Sequence, residues 1–211
     1  MRRPPNPKPV TGARSICGRT PSVVQPNAAI FSSDGTLVRV GVVGDGVEHV
    51  RTTPNGSIWI GYFDEGVYGT YGWGRPGPEP IGSSGLVRLD HEFEIAWTFP
   101  LGGIESPIDE CSALNVENDD LWTCYYSDFP VVHIANDSAQ LWRNKVEGSV
   151  SALMVEGNRV VLIGREAVLG RIEDGDFRRT GAVALDLPPE AKVRGTKFIG
   201  QGPALHVNQP S

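Results

Sequence analysis

Acidic side chains and one histidine stand where two predicted strands begin, at Glu48 and His49 and at Asp109 and Glu110. Carboxylates that converge with backbone oxygens are the ligands that Ca²⁺ or Mg²⁺ prefers. A metal held there would act as a Lewis acid for lactone opening or elimination, with His49 as the general base. Because acidic residues in loops are usually solvated, a metal-dependent hydrolase or lyase is the alternative function and not the leading one.

A second group of candidate residues belongs to a long segment rich in aromatic rings, glycine and proline, residues 63–84. Rigid surfaces of this kind suit a peptide, a sugar or a partner protein. The same rings would also serve to cover the gap between neighbouring sheets, and packing is the favoured role. With one acidic residue from a later loop, the predicted ligand or partner face consists of Asp64, Glu65, Tyr68, Tyr71, Trp73 and Asp128.

Short strands around tight turns recur along the chain and would position these residues. The clearest pair is 47–52 with 57–62, and the same shape returns within 111–125 and 150–164. Asn-Gly and Asn-Asp turns supply the positive φ angles that two-residue hairpins require. A second pair of strands follows each of these hairpins, so the repeating unit has four strands, as a propeller blade does.

The sequence therefore predicts an all-β fold, a β-propeller or a propeller fragment with three complete four-stranded blades and two half-blades. The half-blades would either complete a ring of four blades or belong to a larger ring. The structural alternative is a β-sandwich with irregular hairpins. In chain order we predict a disordered Pro- and Arg-rich extension at 1–26 and then a propeller over 27–211. The propeller would consist of a half-blade at 27–42, blades at 46–99, 110–143 and 149–182, and a half-blade at 193–207.

The order of strands in such a blade predicts where its long connections lie. The connections between second and third strands share one face with those between blades. We call this the long-loop face, and it carries residues 63–84, 100–110, 126–130 and 143–149. Binding residues concentrate in long loops on a rigid scaffold. Acidic residues outnumber basic ones in and beside these segments, so we expect the face to be electronegative.

The composition argues against several classes of protein and partner. The chain has 211 residues and a formal net charge of -6, which argues against binding to nucleic acid. No stretch approaches the ~18 to 20 consecutive apolar residues of a membrane-spanning helix, so no membrane partner is expected. Three cysteines are too few for a disulfide framework in a chain of this size, which favours a reduced, cytoplasmic protein.

A set of short motifs resembles a family of uncharacterised bacterial β-propeller proteins. The set comprises GSIWIGYFDEGVYG at 56–69, GWG at 72–74, PIG at 80–82, GLV at 85–87, IDECSALNV at 108–116 and DFPVV at 128–132. The resemblance covers about residues 27–207 and implies the fold, but no activity. Further propeller sequence would be expected before residue 27 in such a family, so the resemblance implies a truncated member.

Together these observations favour a non-enzymatic binding or interaction module that uses the long-loop face. No catalytic residue and no cofactor are expected in such a module, whereas the alternative enzyme would need Ca²⁺ or Mg²⁺. The expected partner is a protein, a peptide or a small molecule.

Overall fold

The computed structural model describes residues 25–70, 72–100, 107–185 and 197–208. Within these residues the chain forms sixteen β-strands and one short helix. The strands form three four-stranded antiparallel meanders and two hairpins, so the predicted fold class is confirmed: a β-propeller or propeller fragment with three blades and two half-blades. The chain divides into two compact units, Met1–Gly103 and Ile104–Ser211.

The first unit holds one half-blade and one blade. The half-blade is a two-stranded antiparallel sheet of β1 (Ala28–Phe31) and β2 (Leu37–Gly41). The blade consists of β3 (Val47–Thr52), β4 (Ile58–Tyr62), β5 (Leu86–Leu89) and β6 (Ile95–Thr98), each antiparallel to the next. Apolar side chains from both sheets share one buried cluster, to which β1 contributes Ile30.

A short helix interrupts the segment that was predicted as a long loop over residues 63–84. That prediction is wrong at its start, where α1 (Asp64–Tyr68) follows β4. Two acidic side chains in its first turn favour a helix start, because they face the positive end of the helix dipole. Gly66 allows the helix to lie close to the strand before it, since a Cβ there would come within 2.6 Å of the Asp45 carbonyl oxygen and 2.8 Å of the Tyr62 ring.

The second unit holds two blades and one half-blade. The first blade consists of β7 (Glu110–Glu117), β8 (Asp120–Tyr126), β9 (Val131–Ala135) and β10 (Ser138–Asn144). The second blade consists of β11 (Ala152–Glu156), β12 (Arg159–Ile163), β13 (Ala167–Glu173) and β14 (Asp176–Val183). The half-blade consists of β15 (Lys197–Gln201) and β16 (Ala204–Asn208). The last strands of the two blades, β10 and β14, meet in a short parallel ladder.

The hairpin turns have the backbone conformations that their sequences predict. Gly56, Asn118 and Gly157 have φ angles of 89°, 56° and 60°. At the first turn, the Asn55 side-chain oxygen accepts a hydrogen bond of 3.0 Å from the backbone N–H of Ser57. Glycine and asparagine tolerate this left-handed region better than other residues, which is why these turns could be located from the sequence.

One buried amide joins the first strands of the second unit. The side chain of Asn115 on β7 is fully buried. Its Nδ2 donates to the carbonyl oxygens of Leu153 on β11 at 2.8 Å and of Gly202 in the β15–β16 turn at 2.9 Å. The Gly202 N–H donates back to Asn115 Oδ1 at 2.7 Å. A fully bonded buried amide of this kind fixes how three neighbouring elements pack.

Tryptophans at matching strand positions pack within their own blades. Trp59 and Trp97 make an edge contact with ring centroids 5.3 Å apart. Trp122 and Trp142 stack at 5.8 Å. These four rings therefore serve the interior of the blades and are not candidates for a binding surface.

Some predictions fall outside the described residues. They concern residues 1–24 of the predicted extension and residues 193–196 of the last half-blade. The grouping of residues 27–211 into one propeller domain stays a prediction. Among the described residues, no helix is both long enough and apolar enough to cross a lipid bilayer.

Candidate functional site

Two neighbouring cavities in the second unit flank the connection from β10 to β11. The smaller has a volume of about 220 Å³ and the larger about 830 Å³, and Lys145 lines both. The larger volume is in the range of small-molecule sites. The smaller cavity is lined by Tyr125, Asp128, Pro130, Leu141, Arg143, Asn144 and Lys145. The larger is lined by Lys145, Val146, Glu147, Gly148, Ser149, Val150, Leu162, Gly164, Arg165, Glu166, Val168, Phe177 and Arg179.

Hydrogen bonds hold the β10–β11 connection at both ends. At its start, Asn144 Nδ2 donates to the Phe129 carbonyl oxygen at 3.0 Å, and Asn144 Oδ1 accepts from the Val146 N–H at 2.9 Å. At its end, the backbone N–H and the hydroxyl of Ser151 donate to the Ile163 carbonyl oxygen at 2.7 Å and 3.1 Å. These hydrogen bonds fix both ends of the connection that lines the larger cavity.

One glycine shapes the floor of the larger cavity. The register between β13 and β14 places Gly170 opposite Arg179, and Ile172 opposite Phe177. The Phe177 ring lies against Gly170 so closely that a Cβ at that position would collide with the ring. A larger residue at position 170 would lift the ring from the sheet toward the cavity that it lines. Gly170 is therefore a site-shaping residue that the sequence analysis did not identify.

The charge of the side chains that line the two cavities differs in sign from the charge predicted for the long-loop face, which was expected to be electronegative. Four basic side chains line them, Arg143, Lys145, Arg165 and Arg179, against three acidic ones, Asp128, Glu147 and Glu166. Arg143 is held in place by Asp176, whose Oδ1 lies 3.0 Å from Arg143 Nε. The lining is therefore slightly basic in a chain whose formal net charge is -6.

The predicted ligand or partner face divides between the two units. Asp128 lies in the second unit and lines the smaller cavity. The other residues lie in the first unit, on or just after α1, where Asp64, Glu65 and Tyr68 are exposed and Trp73 is half-buried. Tyr71, the remaining member, lies outside the described residues. Because these residues belong to two separate units, a common face formed by all six stays a prediction.

The acidic side chains beside α1 affect one another. The pKa of Glu65 is raised, first by partial desolvation and then by the neighbouring carboxylates of Asp64 and Asp45. Asp45 also accepts a hydrogen bond from the Thr70 hydroxyl at 2.9 Å. This hydrogen bond ties the segment after α1 to the chain before β3, so the surface that carries Tyr68 is anchored at more than one point.

The residues of the predicted metal site also fall in different units. Glu48 and His49 lie on β3 in the first unit, and His49 is 9% exposed. Glu110 is the first residue of β7 and Asp109 directly precedes it, both in the second unit. Across the part of the chain that the structure describes, no group of three or more His, Cys, Asp or Glu side chains is arranged to hold a metal ion.

Comparisons with known proteins identify a family and two distant structural likenesses. A family model described as the YxzG family matches residues 100–207.

The chain is similar to the crystal structure of the N-terminal domain of Nup159, with 13% identity and a TM-score of 0.36 over 80% of this chain and 40% of that one. It is also similar to the extracellular domain of the putative hybrid two component system BT4673 from B. thetaiotaomicron, with 13% identity and a TM-score of 0.34 over 77% of this chain and 24% of that one. The chain thus spans less than half the length of either structure, and we draw no conclusion from likenesses at this level. No curated protein is similar enough in sequence to count as a relative.

Proposed function

The chain belongs to the YxzG family, and we propose that it is a non-enzymatic binding module whose ligand or partner enters the larger cavity of the second unit. The observation that carries this proposal is the space of about 830 Å³ that the β10–β11 connection lines. One segment that we assign to the long-loop face, residues 143–149, borders it, and so does the short turn at 164–166 between β12 and β13. Every residue that lines either cavity lies within the part of the chain that the family model matches.

The lining of the larger cavity favours binding over catalysis. Its one hydroxyl side chain is Ser149, and neither histidine nor cysteine is among the residues that line it. An activated nucleophile needs a base within hydrogen-bond reach, most often a histidine. Apolar side chains with a few charged groups at the margin are typical of small-molecule binding sites.

The surface around α1 in the first unit is the second candidate for contact with a partner. Tyr68 is 66% exposed, and large exposed rings are enriched where proteins bind other proteins. It lies in the first unit, whereas the larger cavity lies in the second. We place it second, as a surface that would add contacts with a protein or peptide.

Binding at the larger cavity predicts a localised response in ¹H–¹⁵N correlation spectra of the full chain. We expect at least one member of a set of small acids, amines, sugars and short peptides to shift the amide signals of residues 145–150 and 164–168. Ser149→Trp, which places a large ring in the cavity from an exposed position, should remove this response. Ser138→Trp, an equally exposed site that lines neither cavity, should leave it intact.

Other outcomes of this experiment would count against the larger cavity. Shifts that cluster at residues 64–84 would place binding on the surface around α1. Spectra that no member of the set changes at millimolar concentration would contradict a binding function for either surface.

The rival proposal is a metal-dependent hydrolase or lyase with Ca²⁺ or Mg²⁺ at Glu48, His49, Asp109 and Glu110. A metal at a hundred times its Kd would add about 2.7 kcal/mol to the free energy of unfolding and raise the unfolding midpoint by several degrees. We expect no such difference between millimolar Ca²⁺, millimolar Mg²⁺ and EDTA in thermal unfolding followed by circular dichroism. A rise that Glu110→Gln abolishes would support the rival.

A further inference from the structure

The floor of the larger cavity is formed by apolar side chains of the second blade of its unit. Val150, Leu162, Val168 and Phe177 line it and are 5%, 2%, 4% and 4% exposed. These side chains belong to the buried cluster of the unit and present only their accessible edges to the cavity. A ligand that contacts these edges does so with an apolar body, because the four side chains offer no hydrogen-bonding group.

The margin of the same cavity carries separated basic groups. Lys145, Arg165 and Arg179 line it together with Glu147 and Glu166, which leaves an excess of one positive charge. Within the described part of the chain, neither Lys145 nor Arg165 has an acidic partner within 4 Å. Arg179 Nη2 lies 3.9 Å from Glu166 Oε2, which is too far for a hydrogen bond. Arg179 can therefore turn its donors toward a ligand without breaking a hydrogen bond to Glu166.

We propose that the ligand of this cavity is an organic monoanion, a carboxylate on an apolar body. This inference rests on the proposed binding function and adds the chemical class of the ligand. The apolar body lies on the floor formed by Val168 and Phe177, and the carboxylate lies at the margin near Arg165 and Arg179. The planar guanidinium group presents paired N–H donors that match the two oxygens of a carboxylate.

The charge balance of the margin separates this class from two others. A cationic ligand would meet the three basic side chains, and the two acidic ones would not compensate for them. A phosphate dianion would gain from the basic groups, but it has no apolar part to place against the floor. The margin has an excess of one positive charge, which complements a ligand with one negative charge. A carboxylate on an apolar chain supplies this negative charge and also the apolar body that contacts the floor.

The chemical class is tested by calorimetric titration of the full chain with three matched probes. Octanoate carries both features, octanol lacks the charge, and acetate lacks the apolar body. We expect octanoate to bind with a Kd below about 1 mM. Octanol and acetate should each bind at least about tenfold more weakly, because a hydrogen bond to a charged group and the burial of several CH₂ groups are each worth that factor or more.

Single substitutions at the margin identify the groups that hold the carboxylate. Arg165→Gln and Arg179→Gln should each weaken octanoate binding about tenfold and leave octanol binding unchanged. Arg171→Gln is the matched control, because Arg171 is an exposed arginine of β13 that does not line the cavity. It should bind octanoate as the unchanged protein does.

Two further probes distinguish the source of the carboxylate. A short N-acetylated peptide that ends in leucine presents the same chemistry at its C-terminus, and its C-terminal amide removes the charge. Tighter binding of the peptide acid than of octanoate would point to a protein terminus as the natural ligand. The reverse order would point to a free fatty-acid-like molecule, and both results support the proposed class.

Failure of this inference differs from failure of the proposed function. Equal binding of octanoate and octanol, or loss of octanoate binding in Arg171→Gln but not in Arg165→Gln and Arg179→Gln, would overturn the carboxylate class. Octanoate that does not bind, while an amine or a sugar shifts the amides of 145–150, would also overturn it and leave the binding function intact. If no probe of any kind binds, both proposals are wrong.

Discussion

Replacement of Asn115 by leucine lowers the free energy of unfolding by about 3 kcal/mol, because three buried hydrogen bonds are lost at one position and each is worth about 1 kcal/mol net. Leucine has a similar volume, so the change leaves little empty space. It leaves the Leu153 carbonyl and the Gly202 N–H and carbonyl without their amide partner. In urea unfolding of the full chain, we expect the midpoint to fall while the m value stays the same.

The matched control for this substitution is Asn158→Leu. Asn158 lies in the exposed turn between β11 and β12, and its side chain makes none of the hydrogen bonds found among the described residues. A surface change of this kind should alter stability by less than about 0.5 kcal/mol. A loss at position 115 no larger than that at 158 would mean that Asn115 does not join β7 to β11 and to the β15–β16 turn.

The strands could be predicted from the sequence because their signals are local. Short strand-forming runs on either side of a tight turn locate the strands, and the Asn-Gly and Asn-Asp turns at residues 55–56 and 118–119 locate the bends. The backbone at Gly56 and Asn118 agrees with this chemistry. Helix α1 was missed because it has five residues, fewer than a periodic pattern needs to be recognised.

The sequence contained a signal for Asn115 that was not used. Asn115 follows Ala113 and Leu114 and precedes Val116, so it is a polar residue inside an apolar run on a predicted strand. A buried polar side chain needs hydrogen-bond partners, and these are most often elsewhere in the fold. The polar residue alone identifies a buried contact, but it does not identify its partners, which lie 38 and 87 residues further along the chain.

The candidate site could be predicted only in part, because strand order fixes the end of a blade at which a loop lies but not the path of that loop. Residues 126–130 and 143–149 were assigned to one face, and Asp128, Arg143 and Lys145 do line one cavity. The larger cavity depends on how the β10–β11 connection crosses the second blade of its unit. That path is set by hydrogen bonds of Asn144 and Ser151, which no short-range pattern indicates.

Replacement of Trp59 by alanine should destabilise the first unit by about 3 to 5 kcal/mol, as is usual when a buried tryptophan is removed. The side chain is 1% exposed and is in edge contact with Trp97. The Arg88 guanidinium also lies over its ring, 5.4 Å from the centroid. Hydrogen exchange of the β4 and β5 amides should report the loss directly, because Trp59 lies on β4 and pairs with Arg88 on β5.

Two further variants separate the contributions of this side chain. Trp97→Ala removes the partner ring from a half-buried position, so its effect should be clearly smaller than that of Trp59→Ala. Trp59→Phe keeps an aromatic ring and removes the indole N–H, which is buried without a hydrogen-bond partner among the described residues. Since a buried donor without a partner is unfavourable, its removal offsets part of the lost packing and the net loss should be about 1 to 2 kcal/mol. Equal losses for Trp59→Phe and Trp59→Ala would contradict this partition, because the phenyl ring would then restore none of the packing and removal of the N–H would bring no gain.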